Sequence, residues 1–149
     1  MLIAATQYDL SMKALDVYVS GCKPPHCAGC HNQELWEFGS GDAFLCNHSH
    51  YMIKAKDPLV ERIMIMGGEP LDQCEGQLGQ MIKEFHKTGK EIWLYTRYEL
   101  EDVPESFKYC LSYVKTGKYD ESLLVDDNVY QVGDFEVKLA SSNQVLHKL

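Results

Sequence analysis

Three cysteines, Cys22, Cys27 and Cys30, fall in the pattern C-x4-C-x2-C directly behind the β-rich run Asp16-Val17-Tyr18-Val19-Ser20. Thiolates repel one another and are reactive when free, so a loop that gathers three of them usually neutralises them on a metal or a cluster. Gly21 releases the backbone where the alternating run stops, which puts the thiols at the C-terminal end of a strand. Any fold for this chain has to hold them side by side there. An iron–sulfur cube has four irons, so three thiolates leave one iron open to a further ligand. A structural zinc ion would instead take four protein ligands, and His26 or His31 could complete a Cys3His set. Neither the thiol count nor the spacing separates these two metals.

The chain has 149 residues, the length of one ordinary domain, and a single domain over 1–149 is expected. The formal net charge is −8 and no stretch concentrates Lys or Arg, which argues against nucleic acid as a partner. Met1 to Ala5 is apolar but short, lacks a basic lead and is followed by Gln7 and Asp9. Neither a signal peptide nor a membrane span is expected, and the expected location is cytoplasmic. Six cysteines in such a chain point to metal or redox chemistry rather than to a disulfide framework. Cys74 and Cys110 read as small buried hydrophobes. Cys46, His48 and His50 alternate, and in an extended segment they would share one face as a second metal site. A polar surface loop is the preferred reading, because structural zinc sites usually take four ligands from two separated pairs.

The remaining segments read as alternating strands and helices. His31 to Phe38 suits a helical turn whose Trp36 and Phe38 cover the cysteine loop, and water exclusion tunes a cluster's potential. Residues 44 to 58 show no clear 3.6-residue period, and Pro58 stops any helix through them. Arg62 to Met66 is a short unbroken apolar run, the mark of a strand covered on both faces, and it ends in Gly67-Gly68-Glu69-Pro70. Leu78, Met81, Ile82 and Phe85 have amphipathic helix spacing, with Gly89 as the stop. Glu91 to Tyr95 is a third strand, Asp102 with Pro104 opens a short helix toward Tyr109, and Cys110 to Val114 is a further apolar run. This βα alternation predicts an α/β fold with a mostly parallel sheet and its site at the strand C-termini. Phe135, Val137 and Leu139 alternate with charged residues, which suggests a half-exposed edge strand.

A Gly-Gly-Glu-Pro turn leaves backbone N–H and C=O groups uncovered by side chains, suited to gripping a small zwitterion such as the methionine end of S-adenosylmethionine. Paired with the cysteine loop, it gives the chain a resemblance to the radical S-adenosylmethionine enzymes, and within them to the small activating proteins of anaerobic ribonucleotide reductase. The resemblance rests on Val19-Ser20-Gly21-Cys22 with Cys27-Ala28-Gly29-Cys30-His31-Asn32, and on Gly67-Gly68-Glu69-Pro70-Leu71. It extends to Glu91-Ile92-Trp93-Leu94-Tyr95-Thr96-Arg97-Tyr98 and to the terminal Ser141-Ser142-Asn143-Gln144.

The resemblance implies a small partial (βα) barrel of the radical SAM type. It implies a [4Fe–4S] cluster on Cys22, Cys27 and Cys30, whose open iron chelates S-adenosylmethionine. Gly67, Gly68 and Glu69 would steady the methionine end, and Thr96 is the candidate for the nucleoside side. It further implies reductive cleavage to a 5′-deoxyadenosyl radical that takes hydrogen from a glycine Cα. The implied partners are the large glycyl-radical subunit of anaerobic ribonucleotide reductase and a low-potential electron donor such as flavodoxin. Three features depart from the family pattern. The loop between the first two cysteines has one residue more than the typical C-x3-C, with Pro24-Pro25 expected to bulge outward. A Gly-Pro-Gly-x-Arg segment ahead of the first strand is absent, since Tyr8 to Leu15 reads Tyr-Asp-Leu-Ser-Met-Lys-Ala-Leu. The family's helix between the cysteine loop and the glycine turn has no clear periodicity here. Competing readings are a radical enzyme resembling 7-carboxy-7-deazaguanine synthase, acting on a small molecule, and a non-catalytic zinc-binding interaction module.

Overall fold

The apolar runs become the inner strands of one sheet. A computed structural model describes every residue from Met1 to Leu149. In chain order the elements are β1 (Leu2–Asp9), β2 (Ala14–Val19), β3 (Asp42–Ala43), α1 (His48–Ala55), β4 (Arg62–Gly67), α2 (Glu75–His86) and β5 (Glu91–Tyr95). There follow α3 (Glu105–Lys108), β6 (Tyr113–Thr116), β7 (Val129–Val132), β8 (Phe135–Lys138) and β9 (Val145–Lys148). The sheet order is β3-β1-β2-β4-β5-β6-β9. Its centre, β2-β4-β5-β6, is parallel, as βα crossovers require. The edges are antiparallel: β1 pairs with β2, and β9 with β6.

Strand β1 arises from the segment weighed in the sequence only as a possible leader. Its turn into β2 is fastened by Asp9, whose Oδ1 accepts from the Ser11 amide, the Ser11 hydroxyl and the Met12 amide at 2.6–3.1 Å. A short carboxylate bonding the backbone two residues on is the usual fixing of such a turn.

Alternate strand residues face opposite layers. Leu15, Val17, Val19, Ile63, Ile65, Ile92, Leu94 and Val114 join Leu78, Met81, Ile82 and Phe85 of α2 in the larger core. Ala14, Met64 and Trp93, on the other face, pack against Val132, Val137 and Leu139. The last three come from a separate two-stranded sheet, β7-β8, and the residue just after it. The edge-strand expectation for Phe135 to Leu139 is therefore corrected: β8 pairs with β7 in a hairpin across the sheet face, and β9 takes the edge.

Residues 44 to 58 also need correction. They form α1 instead of a polar surface loop, and they bury Phe44, Tyr51, Met52 and Ala55. Eight helical residues span barely two turns, too few for a legible period, and the helix is selected by packing of Phe44 on Tyr51 and Phe85, with ring centroids 5.7 and 5.4 Å apart. His48 and His50, two apart on that helix, do not share a face. His48 Nε2 lies 3.2 Å from Glu84 Oε2, and Cys46 is exposed. Cys74 is exposed as well, contrary to the buried reading, because it precedes α2 in the N-cap position. Cys110 is half-buried against the larger core. No helix is long and apolar enough to cross a membrane.

Candidate functional site

A cavity of about 320 Å3 opens at the C-terminal ends of the parallel strands. Cys22, Cys27, Cys30, Gly67, Gly68, Glu69 and Thr96 all line it. The opposite wall comes from Lys138, Leu139 and Ala140, at the end of the hairpin, and from Gln144.

The cysteine loop is fixed from two sides. The Gly21 amide donates to the Leu35 carbonyl at 2.8 Å and the Cys22 amide to the Trp36 carbonyl at 2.9 Å, so the turn after Cys30 folds back on the loop's start. Trp36 lines the cavity, whereas Phe38 lies on Gly21, where a Cβ would come within 2.2 Å of its ring. His26 stacks flat on Trp36, ring centroids 3.9 Å apart, and its Nε2 is 2.9 Å from the Cys22 carbonyl. It is thus turned to the loop's own frame. His31 lines the cavity and lies against Tyr119. Lys23, Pro24 and Pro25 are exposed, and the Pro24-Pro25 peptide is cis. Cys22 is 7 % exposed, and burial pushes its thiol up to about 11, with Arg97 pulling the other way. A thiol so placed is neutral at neutral pH until a metal displaces its proton.

The glycine turn lies directly on the cysteine loop. Gly67 has φ +114°, and a Cβ there would come 2.6 Å from the Val19 amide nitrogen. A Cβ on Gly68 would meet the Gly21 carbonyl at 2.4 Å and the Leu35 carbonyl at 2.8 Å. Both glycines are needed for this close approach. The Gly68 amide donates to Val19 and the Glu69 amide to the Gly21 carbonyl, each at 2.8 Å, while the Gly68 carbonyl accepts no backbone amide. Two amides of the turn are therefore tied to the end of β2 and to the start of the cysteine loop, and the Gly68 carbonyl is left without a backbone partner.

Glu69 is 2 % exposed and fully engaged. Its Oε1 accepts from the Leu71 amide at 2.9 Å and the Thr96 hydroxyl at 2.7 Å, and its Oε2 accepts from the Arg97 amide at 2.8 Å. Burial raises its pKa, and these hydrogen bonds oppose the rise. Thr96 also accepts from the Tyr98 amide at 3.1 Å. Glu69 and Thr96 thus brace the end of β4 against the end of β5.

Several residues of the site had no role in the sequence reading, Arg97 and Tyr98 among them although both lie in one of its motifs. Buried Asp72 and half-buried Arg97 and Tyr98 form a polar group beside the loop. Gln73 donates to the carbonyls of Gly21 and Glu69, both at 3.0 Å. Lys115 lines the cavity, donates to the Gly117 carbonyl at 2.9 Å, and is brought down to about 8 by burial, against the pull of Glu69 and Cys27. The position of Asp72 and Gln73 directly after the glycine turn was the available signal for that pair; nothing local marked Lys115. The terminal Ser141-Ser142-Asn143-Gln144 acquires a physical role. The Ser141 amide donates to Gln144 Oε1 at 3.1 Å, Asn128 Nδ2 to the Gln144 carbonyl at 2.9 Å, and Asn143 Nδ2 to the Lys118 carbonyl at 2.9 Å. This turn secures one wall of the cavity.

Comparison with known proteins agrees with the motifs. A family model described as a 4Fe-4S single cluster domain matches residues 13–147. The anaerobic ribonucleoside-triphosphate reductase-activating protein of Vibrio cholerae serotype O1 is 29% identical over 140 residues, covering 89% of this chain and 85% of its own. The protein of the same name from Enterobacteria phage T4 is 27% identical over 113 residues, covering 72% and 71%. No solved structure matches. The resemblance to these activating proteins, first drawn from the motifs, holds along most of the chain. Because the family match runs unbroken through the cysteine loop, the glycine turn and the terminal turn, this chain belongs to the 4Fe-4S single cluster domain family.

Proposed function

We propose that this protein is a radical SAM activase that generates a glycyl radical on the large subunit of anaerobic ribonucleotide reductase. The observation that carries the reading is the shared cavity: the three thiols line it together with Gly67, Gly68 and Glu69, and backbone bonds join the two segments. The names of the two relatives supply the partner. The donor set fits a [4Fe–4S] cluster in kind: three soft thiols line the cavity without yet standing together at metal-ligand spacing, while His26 is spent on Trp36 and the Cys22 carbonyl and His31 lies against Tyr119.

When bound, the cluster would supply the electron for reductive cleavage of S-adenosylmethionine, chemistry that ends in hydrogen abstraction from a glycine Cα of the reductase. Cys22, Cys27 and Cys30 would hold the cluster, and with only three thiol ligands it would remain able to take the amino and carboxylate groups of S-adenosylmethionine. The Gly68 carbonyl is an acceptor for that amino group, and Lys115 offers an ammonium to the same wall. Glu69 and Thr96 act through the backbone they brace. Met66 and Tyr95 give the nucleoside a largely apolar wall, and Trp36 with Leu139 helps exclude water. The parallel strands constitute a small partial barrel forming one radical SAM domain over 1–149. The protein is cytoplasmic and receives its electron from a low-potential donor such as flavodoxin.

The test is anaerobic reconstitution with iron and sulfide, followed by S-adenosylmethionine cleavage on reduction. Mixing with the large reductase subunit is then expected to give a glycine-centred radical in electron paramagnetic resonance. Colourless protein that binds zinc and cleaves nothing overturns the reading. Cleavage without a glycyl radical keeps the cofactor chemistry and overturns the partner.

A further inference from the structure

The segment between Cys22 and Cys27 carries one residue more than the typical loop, and its exposed part is fastened from outside. The Lys23 amide donates to Asp72 Oδ2 at 2.6 Å, and Arg97 Nη1 donates to the Pro25 carbonyl at 2.6 Å. These two bonds bracket Pro24. The fasteners are themselves joined: Arg97 Nη2 donates to Asp72 Oδ2 at 3.0 Å, and the Tyr98 hydroxyl donates to Asp72 Oδ1 at 2.7 Å. The Arg97 amide donates to Glu69 Oε2, which links the same group to the glycine turn.

The pair is not explained as a gain in stability. The Arg97 and Asp72 side chains are 9 % and 2 % exposed, and the desolvation cost of such a pair commonly matches or exceeds its attraction. Arg97 Nε is buried without a hydrogen-bond partner, 4.0 Å from Glu69 Oε2. The guanidinium fork is thus aimed at the Pro25 carbonyl and Asp72 while one of its own donors goes unused. A rigid planar fork holds a carbonyl and a carboxylate at a fixed spacing and direction, which a lysine ammonium on a flexible stem does not impose.

We infer that Arg97 and Asp72 are positioning residues that set the separation of Cys22 and Cys27 for the longer loop, so that the extra residue and the buried pair work as one unit. The inference rests on the cluster reading of the three thiols. A loop of typical length would not need the pair.

The experiment compares wild type, Arg97→Ala, and Arg97→Ala combined with deletion of Pro24, each reconstituted anaerobically with iron and sulfide. Iron and sulfide bound per chain, the electron paramagnetic resonance spectrum of the reduced cluster, and the melting of the cluster-free protein are read. Arg97→Ala is expected to weaken cluster binding about 10-fold, the usual scale for losing an outer partner of a metal ligand, and to change the spectrum. Deleting Pro24 in that background is expected to restore both. A merely structural role for Arg97 would lower melting alike at both loop lengths and would not be relieved by the deletion. Wild-type binding and spectrum in Arg97→Ala, or no recovery on deletion, overturns the inference. If Arg97→Ala does not fold, Arg97→Lys with and without Pro24 carries the same comparison, and the same results support or overturn the inference. Wild-type protein that takes zinc and no cluster overturns the cluster reading itself, whereas a wild-type cluster indifferent to Arg97 overturns this inference alone.

Discussion

The two faces of the central sheet are drawn from alternate residues of the same strands, yet they do different jobs. Toward the helices, Leu15, Val17, Ile63, Ile65, Ile92 and Leu94 meet Leu78, Ile82 and Phe85 in an apolar core of 21 buried residues. Toward the hairpin the core has seven, and the strands also present Asp16, Tyr18, Tyr95 and Lys115. Ionisable groups on a buried face cost stability unless paired. Asp16 and Lys115 lie on this face, and Lys115 with Tyr95 reaches the cavity, so the thicker apolar layer keeps the chain folded and the thinner one is available for chemistry.

The sharpest way to break that division is to remove one thiol from each side. Cys27→Ala is expected to abolish cluster binding, and Cys110→Ala, at the edge of the helix-side core, to leave it intact; iron and sulfide bound after reconstitution are the measurement. Equal loss in both would dissolve the distinction. Next in size is stability. Phe85 is 0 % exposed and Phe85→Ala is expected to cost about 3–5 kcal/mol in urea unfolding, the range for emptying an aromatic site in a tight core. Leu139→Ala on the hairpin side is expected to cost about 2 kcal/mol, because the smaller layer can collapse more readily. A reversed order would place the fold's main support on the wrong face.

The smallest effect concerns Asp16, whose carboxyl is pushed up to about 6, chiefly by burial and further by Asp9. Its Oδ1 has no hydrogen-bond partner, and the Tyr18 hydroxyl reaches Oδ2 only at 3.4 Å. A carboxyl with a higher pKa folded than unfolded binds more protons in the folded state, so stability falls as pH rises from about 4 to about 6. Asp16→Asn is therefore expected to raise the melting temperature by roughly 2–4 °C at pH 8, for a gain of about 1 kcal/mol. The gain should disappear below about pH 4. A gain of equal size at both pH values would remove ionisation as its cause.

How much was legible follows from where the information sits. The apolar runs at Arg62–Met66 and Glu91–Tyr95 are local signals and became β4 and β5 with those boundaries or one residue beyond. The helix at α2 carried its own period. Helix α1 did not, because Phe44, Tyr51 and Met52 gain their reason only against Phe85. The hairpin was read as an edge strand because alternation states that one side is buried, not what buries it. At the site, thiols and glycines announce themselves by type and spacing. Asp72, Arg97 and Lys115 are ordinary charged residues in sequence, and only the meeting of separate strand ends makes them neighbours.

By itself the sequence determined that three thiols and a Gly-Gly-Glu-Pro turn sit at successive strand ends of a parallel sheet, because residue type, spacing and unbroken hydrophobicity are properties of neighbours along the chain. Only the tertiary structure decided what the glycines are for and how the lengthened loop is held. Gly67 admits the backbone at the end of β2 and Gly68 that of Gly21, and Asp72 with Arg97 brackets Pro24. The bonds that bracket Pro24 join residues 49 and 72 positions apart and the ion pair joins residues 25 apart, and no local pattern records such distances.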